Sequence, residues 1–398
     1  MAVVAGVAGC RFNFAALPDP TGDGALGGGD SDSTFPDAAL PCNFQLGAGR
    51  VHQTAVMPDR SLRVWGDGMY GQIGDGLMVD RPTPAVINVG GPVVSASGGR
   101  FETCVALASG QGRCWGEGDS GQLGDGNGAT TSTPVVVSNL TTIVEMAAAA
   151  LHACARLANG EVWCWGDESS GRLGTTGNGL SLVPVKVAGI STAKVLRSGG
   201  SVTCAILADD TARCWGFNQN AEVGIGTMTD VLTPMEPTGL GAVRSISVRD
   251  TASCAVRANG DVRCWGANNV GQTGTGSVGG IQSTPTAVVD ASMMPLVGGD
   301  EVGKGIDHGC ARLGTDVWCW GDNQYGQLGD GSPIAGHPYA VKVAGLPPVV
   351  QLGVAAYSVC VLASDGDVWC WGRGADGELG NAMITNKPTP VRSFTACP

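Results

Sequence analysis

Apolar positions along this chain fall in short runs that alternate with polar residues and stop at Gly, Asn, Asp or Ser, and no stretch keeps the three-to-four spacing of an amphipathic helix. A representative segment opens on the apolar Ile143 to Met146. It continues through His152-Ala153-Cys154-Ala155-Arg156-Leu157, turns at Ala158-Asn159-Gly160, and runs on as Glu161-Val162-Trp163-Cys164-Trp165-Gly166. A Gly-rich loop follows, clearest at Gly321-Asp322-Asn323-Gln324-Tyr325-Gly326-Gln327-Leu328-Gly329-Asp330-Gly331, and a Pro-led β-branched run such as Pro134 to Val137 closes the unit. The pattern predicts four short strands separated by turn chemistry.

The unit repeats. Trp-Gly occurs at Trp65, Trp115, Trp165, Trp215, Trp265, Trp320 and Trp371, at spacings of 50, 50, 50, 50, 55 and 51 residues. Seven such units account for residues 42–398. Four strands repeated seven times predict an all-β fold, a seven-bladed β-propeller with four-stranded blades. Composition narrows the function. Gly makes up 65 of 398 residues, about 16% against an ordinary 7%. Only 15% are charged, and the net charge is −12, the wrong sign for a nucleic-acid binder. No apolar stretch is long enough for a membrane-spanning helix, and 43% hydrophobic residues exclude a highly charged disordered chain.

The run Cys-x-x-Leu, Gly-x-Val-x-Cys-Trp-Gly, then Gly-Gln-Leu-Gly-Asp-Gly resembles the regulator of chromosome condensation repeat. The match is best at Trp115-Gly116 with Gly121 to Gly126 and at Trp320-Gly321 with Gly326 to Gly331. Unit four departs at Ala221-Glu222-Val223, and unit seven at Glu378 and Asn381-Ala382, which leaves those loops' geometry open. The resemblance implies the same seven-bladed propeller. It also implies a range of roles, from exchange factors for a small GTPase to a secreted inhibitor of β-lactamases, and fold does not choose among them.

Twelve of the fifteen cysteines form six pairs: Cys104/Cys114, Cys154/Cys164, Cys204/Cys214, Cys254/Cys264, Cys310/Cys319 and Cys360/Cys370. With a three-residue turn at Ala158-Asn159-Gly160, Leu157 faces Glu161 and Cys154 faces Cys164. The Cys310 pair is one residue closer, and its turn, Gly314-Thr315, is one residue shorter, so the cysteines still face each other. Opposed Cβ atoms lie near enough for a disulfide, and six of them require an oxidising compartment. Reduced buried pairs are the alternative. Zinc would need a closer Cys spacing. Unit one has Thr54 and Val64 at the two positions. Cys397 and Cys42 fall at consecutive repeat phases, where other units have a peptide bond, so a disulfide between them would tie the ring shut. Two unrelated terminal thiols are the alternative.

Residues 1–10 end in Val7-Ala8-Gly9-Cys10, which resembles a lipoprotein cleavage box with Cys10 as the lipidated residue. The run is short and has no preceding Lys or Arg, as in a truncated lipoprotein-type signal. Residues 11–41, with Gly27-Gly28-Gly29-Asp30-Ser31, are expected to be a flexible tether.

Recognised catalytic motifs are missing from the sequence. His52, His152 and His308 share one repeat phase, which points to a structural role. Asp-Gly pairs lack the alternating ligands of calcium loops. The ten Trp residues are phase-locked, as core residues would be. An enzyme reading would rest on Asp67, Asp167 and Asp322 converging. The expected function is instead a non-enzymatic exported scaffold that binds a protein partner, with no cofactor, no metal, no nucleic acid, and the membrane reached only through a lipid on Cys10. A GTPase exchange factor and an inhibitor of the β-lactamase-inhibitor type are the alternatives. The chain is expected to be a monomer in the cell envelope or outside the cell. The Gly-rich loops fix backbone while the residues before their central Gly vary, so Tyr70, Asp119, Ser120, Ser170, Asn220, Asn269, Tyr325 and Asp376 are expected to meet the partner. Met294, in an insertion of the fifth unit, joins them.

Overall fold

The computed structural model describes residues 44–177, 179–332 and 335–397. The signal and tether segments, with Cys10 and Cys42, lie outside them. Seven four-stranded antiparallel sheets follow in chain order, each built from four consecutive strands. Blade 1 comprises Gln45–Ala48, His52–Val56, Leu62–Gly66 and Arg81–Ile87, and blade 7 comprises Val349–Val354, Ser358–Ala363, Asp367–Gly372 and Lys387–Thr395. The inner strand of each blade packs on that of the next, and blade 7 returns to blade 1, which closes the ring. Helix, among the described residues, is confined to one 3-10 turn at Ser169–Gly171.

Within each blade the hairpin between second and third strands sets the register. Cys154 lies opposite Cys164, and Leu157 N–H bonds to Glu161 O at 2.9 Å. Cys104 faces Cys114, Cys204 faces Cys214 and Cys254 faces Cys264 in the same way. In blade 6 the shorter turn pairs Leu313 with Asp316 and again places Cys310 opposite Cys319, and in blade 7 Cys360 faces Cys370. All six pairs are disulfide-bonded, with Cα atoms 4.0–4.1 Å apart, and all twelve cysteines are fully buried. Reduced pairs, the alternative, are not what the structure has. In blade 1, Thr54 and Val64 occupy the facing positions.

On the other side of these cysteines the pairing is uneven. Between third and fourth strands the register shifts just after Cys114, Cys164, Cys214, Cys264, Cys319 and Cys370, so the outer strand is bulged against the Trp-Gly pair. The Gly of that pair takes a φ of 97–115° in these blades, a conformation closed to other residues.

One joint repeats between blades. The seven Trp residues of the Trp-Gly pairs are fully buried. Each donates its indole Nε1–H to a carbonyl in the preceding blade's Gly-rich loop. Trp115 bonds to Gln72 O at 2.9 Å, Trp165 to Gln122 O at 2.8 Å and Trp265 to Glu222 O at 2.7 Å. Trp65 closes the series on Glu378 O of blade 7 at 2.9 Å. The second Gly of the loop motif is required here, because a Cβ on Gly124 would lie 2.6 Å from Trp165 Nε1. The remaining three Trp residues, Trp163, Trp318 and Trp369, are only half-buried, so for them the core assignment is too strong.

A second joint satisfies the inner strands. An inner strand at the axis has a row of unpaired N–H groups that must find acceptors. Side chains of the preceding blade provide them: Ser95 and Ser97 accept from Met146 N–H and Ala148 N–H, Glu145 from Leu196 N–H, Glu301 from Leu352 N–H and Gln351 from Leu46 N–H, at 3.0–3.2 Å.

Candidate functional site: the loop face

In an antiparallel meander, the connection between first and second strands and that between third and fourth leave from the same end of the blade. The Gly-rich loops therefore share a face with the tight turns at Arg50, Arg100 and Asp250. Asp67 N–H bonds to Val51 O at 3.0 Å and Glu117 N–H to Phe101 O at 2.9 Å, which fixes loop to turn.

Six of the seven loops are locked from within and to the next blade; in blade 3, Arg172 stands at the Gln position and pairs with Asp167 instead. The Gln after the central Gly accepts from the backbone two residues earlier, as in Gln72 with Tyr70 N–H at 2.9 Å and Gln327 with Tyr325 N–H at 2.8 Å. The last Gly reaches the outer strand of the next blade: Gly76 N–H to Ser132 O at 3.0 Å and Gly331 N–H to Pro388 O at 2.9 Å. The divergent loops keep this geometry. Ala221 takes the left-handed φ of 62° that Gly has elsewhere, and Glu222 accepts from Asn220 N–H at 2.9 Å. Ala382, at φ 65°, bonds to Pro82 O at 2.9 Å.

The side chains expected to meet a partner are spread round this face, with one exception. Asp119 and Asn269 are exposed, while Ser120, Ser170, Asn220 and Asp376 are half-buried. Tyr70 stacks on Phe101 of the next blade at 4.3 Å, and Tyr325 meets Tyr357 edge-on at 5.3 Å. The Asn220 amide donates to Glu222 at 2.8 Å. Met294 is exposed in the connection after the outer strand of blade 5 and not in a Gly-rich loop; that connection bridges to blade 6 through Asp290 and Ala340, and its Met293 lies against Gly276 of the blade 5 loop. The three acids of the enzyme reading do not converge. Asp67 accepts from Met69 N–H and Gln72 at 2.8 and 3.2 Å, Asp167 pairs with Arg172, and Asp322 accepts from Gln327 at 2.8 Å, each inside its own loop.

Nothing in the repeat pattern warns of what fills the axis. At one repeat phase the residues are Gly49, Gly99, Ala149, Gly199, Arg249, Gly305 and Ala355. Seven strands converge there, and the six small residues leave room for one long side chain. Arg249 fills it, buried, donating to Lys304 O at 3.3 Å, Val354 O at 3.1 Å and Gly49 O at 3.5 Å. It thus joins blades 6, 7 and 1 across the axis. Beside it Lys304 is buried with its ammonium on the carbonyls of Gly305, Ile306 and His308 at 2.9–3.1 Å. Burial lowers the Lys304 pKa to about 7. The cleft at the axial mouth, lined by Arg50, Arg100, Arg249 and Asp250, measures only about 10 Å³, room for a single water. The phase-locked histidines are fully buried, and burial first, then a neighbouring arginine, holds His52 and His152 at about 3. Two of them bond to a threonine of the next blade, His52 to Thr103 at 2.9 Å and His152 to Thr203 at 2.8 Å, and so act as joints between blades. Neither ring nitrogen of His308 has a hydrogen-bond partner among the described residues.

A closed ring of seven such blades, clasped loop to Trp, defines a disulfide-bonded repeat propeller that presents a platform of backbone-locked loops. Comparison with known proteins places it. Profiles described as Regulator of chromosome condensation (RCC1) repeat match residues 114–156, 159–206, 316–362 and 365–397, and a second profile of the same description matches 143–172, 243–272 and 349–378. The chain belongs to this repeat family. A mitochondrial RCC1 domain-containing protein of Arabidopsis thaliana, RUG3, is 30% identical over 76 residues, a segment that is 19% of this chain and 17% of that protein. Among solved structures, human WBSCR16 superposes with a TM-score of 0.75 at 17% identity, over 84% of this chain and 94% of the other. Prp20p of Saccharomyces cerevisiae does so with a TM-score of 0.69 at 19% identity, over 84% and 85%. These likenesses establish the fold.

Proposed function

We propose that this protein is an exported, non-enzymatic interaction scaffold whose loop face binds a protein partner. The observation that carries the reading is the double locking of six of the seven Gly-rich loops, all but that of blade 3, through their own Gln or Glu and through the next blade, which leaves neighbouring side chains on a rigid support. Rigid support of exposed loop residues lowers the ordering cost of binding. The six hairpin disulfides suggest an oxidising compartment. Attachment through a lipid on Cys10 would hold the propeller at the cell envelope. A regulator of a small GTPase is the second reading. It is favoured by the likeness to Prp20p, whose structure was described with its binding to Gsp1p and histones, and opposed by the disulfides.

Photo-cross-linking tests the scaffold reading. A benzophenone side chain at the exposed positions Asp119, Asn269 or Gln324 of the loop face, or at Asn159 in a hairpin turn of the opposite face, is irradiated in cell-envelope extract. Discrete protein adducts from the loop positions are expected. Adducts from Asn159 alone, or from none of the four, overturn the reading.

A further inference from the structure

The loop face is not uniform. In blade 1, Leu77, Met78 and Val79 follow the Asp-Gly step and stand exposed, and in blade 7 Met383 and Ile384 hold the matching positions, with Met78 52% and Ile384 65% accessible. The corresponding positions of blade 2 are Asn127 and Gly128. The two apolar loops are neighbours, since Ala382 N–H bonds to Pro82 O in the outer strand of blade 1. Met228 and Val278 are exposed one to a loop at the matching positions of blades 4 and 5, whereas five such residues are gathered in this sector. Gathered rather than single exposed apolar residues mark an interaction surface.

The loops of this sector hold Asp80 and Asp376 within electrostatic reach of Asp67. Basic charge comes nearer the axis, where Arg50 and Arg100 stand at adjacent turns beside Asp250 and neither forms an ion pair among the described residues. Glu117 is influenced by Arg100 only at longer range. Arg100 lies 5.0 Å over the Phe101 ring, which in turn stacks on Tyr70. The result is an Arg-aromatic ladder at the edge of an aliphatic patch, the side-chain chemistry that dominates binding energy at protein interfaces. An Arg pair without intramolecular ion-pair partners fits carboxylates on the occupant.

We propose that the blade 7–blade 1 sector of the loop face is the docking surface, and that its occupant is a protein segment with acidic side chains next to aliphatic or aromatic anchors. The proposal rests on the scaffold reading and narrows it to one sector and one partner chemistry.

Fluorescence anisotropy of purified protein with two short fluorescein-labelled peptides tests it. One alternates Glu or Asp with Leu and Phe; the other carries Lys in place of each acid. The acidic peptide should bind, more weakly at high salt, and the Lys peptide should not. Leu77→Ser with Met78→Ser, and separately Arg50→Ala with Arg100→Ala, should each weaken binding at least about tenfold, a loss of about 1.4 kcal/mol. Met228→Ser, at the matching position of blade 4 and likewise exposed, should leave binding unchanged. An unaltered unfolding midpoint in all three variants is expected, because the altered side chains lie at the surface. Absence of acidic-peptide binding, equal binding of both peptides, or an equal effect of Met228→Ser overturns the surface. Loop-face cross-links obtained alongside such a result would leave the scaffold reading standing without this sector.

Discussion

The joint between Trp and loop can be measured with two glycine substitutions that differ in one respect. Gly329 and Gly345 both have left-handed φ, 67° and 75°. Alanine at either incurs the left-handed strain of about 1–2 kcal/mol, offset by about 0.4–1 kcal/mol from a less flexible unfolded chain. A Cβ on Gly345 meets nothing within 4 Å, whereas on Gly329 it would lie 2.7 Å from Trp371 Nε1 and 2.9 Å from Cδ1. Trp371 is fully buried and bonded to Gln327 O at 3.0 Å, so the ring has nowhere to go without breaking that bond. Overpacking costs about 1–3 kcal/mol, and stranding a buried indole N–H about 1–3 kcal/mol more. Gly329→Ala should therefore be destabilised by about 2–6 kcal/mol more than Gly345→Ala. Denaturant unfolding of the oxidised protein, followed by Trp fluorescence, gives the difference, and hydrogen exchange at the Trp371 indole locates it. Two variants within about 0.5 kcal/mol of each other, the scale of an ordinary surface substitution, with that indole still protected, would refute the clasp.

Three further outcomes are expected. Thr54→Cys with Val64→Cys should form a seventh hairpin disulfide, because these residues face each other in register and Thr54 Oγ1 is buried without a partner. The gain is at most about 3 kcal/mol, and a pair still reduced by mass spectrometry in oxidised protein would contradict the register argument. The histidines' contribution to stability should fall as pH drops from 6.5 towards 3. The unfolded chain there protonates His52, His152 and His308 while the folded chain, whose histidine pKa values are lowered by burial, does not. Each contributes a slope of about 1.4 kcal/mol per pH unit, and carboxyls that burial raises, Glu102, Glu222, Glu301 and Glu378 among them, oppose this above pH 4.5. His152→Gln should remove one histidine's share, so a pH profile of unfolding identical to that of the parent protein would count against it. Finally, Cys397 is disulfide-bonded. We propose Cys42 as its partner, so non-reducing peptide maps should link the two, and Cys397→Ser should expose blade 7 amides to exchange first.

The repeat made most of the fold legible. Spacing of Trp-Gly set the blade number, and the shortened turn at Gly314-Thr315 left Cys310 opposite Cys319 because strand pairing depends only on counting outward from the turn. The same counting stops at the third strand, since the bulge after Cys114, Cys214 or Cys264 depends on a backbone conformation that the motif's Gly permits but does not announce. Positions that break the repeat were harder to interpret. Arg249 looks like one more surface arginine until the ring brings its phase-mates, all Gly or Ala, to a common axis. The apolar residues at Leu77 and Ile384 look ordinary in separate loops 307 residues apart, and only ring closure makes them neighbours. The motif glycines were legible as turn formers, but not as the space an indole from the next blade occupies.

Ring closure itself follows from these joints. Each sheet is built from consecutive strands, so blades 7 and 1 share no strand and the seam must hold by non-covalent contact between blades. Three types of joint found elsewhere recur there, Trp65 on Glu378 O, Gln351 on Leu46 N–H and Ala382 on Pro82 O, and Gln53 donating to Ser358 at 3.2 Å replaces the His–Thr joint. The seam also has two things other joints lack. Phe394 packs edge-on against Trp65 at 5.4 Å and against Phe44 at 6.3 Å, within a core that includes Leu46, Cys370, Leu379 and Cys397. Arg249 reaches across the axis to bond one carbonyl on each side of the seam. A ring of weakly coupled repeats opens first at its least connected joint, and here the joint without a peptide link has the additional contacts. The proposed docking sector lies over the same seam, so an occupant there would bind blades 7 and 1 together and stabilise the closed ring by mass action.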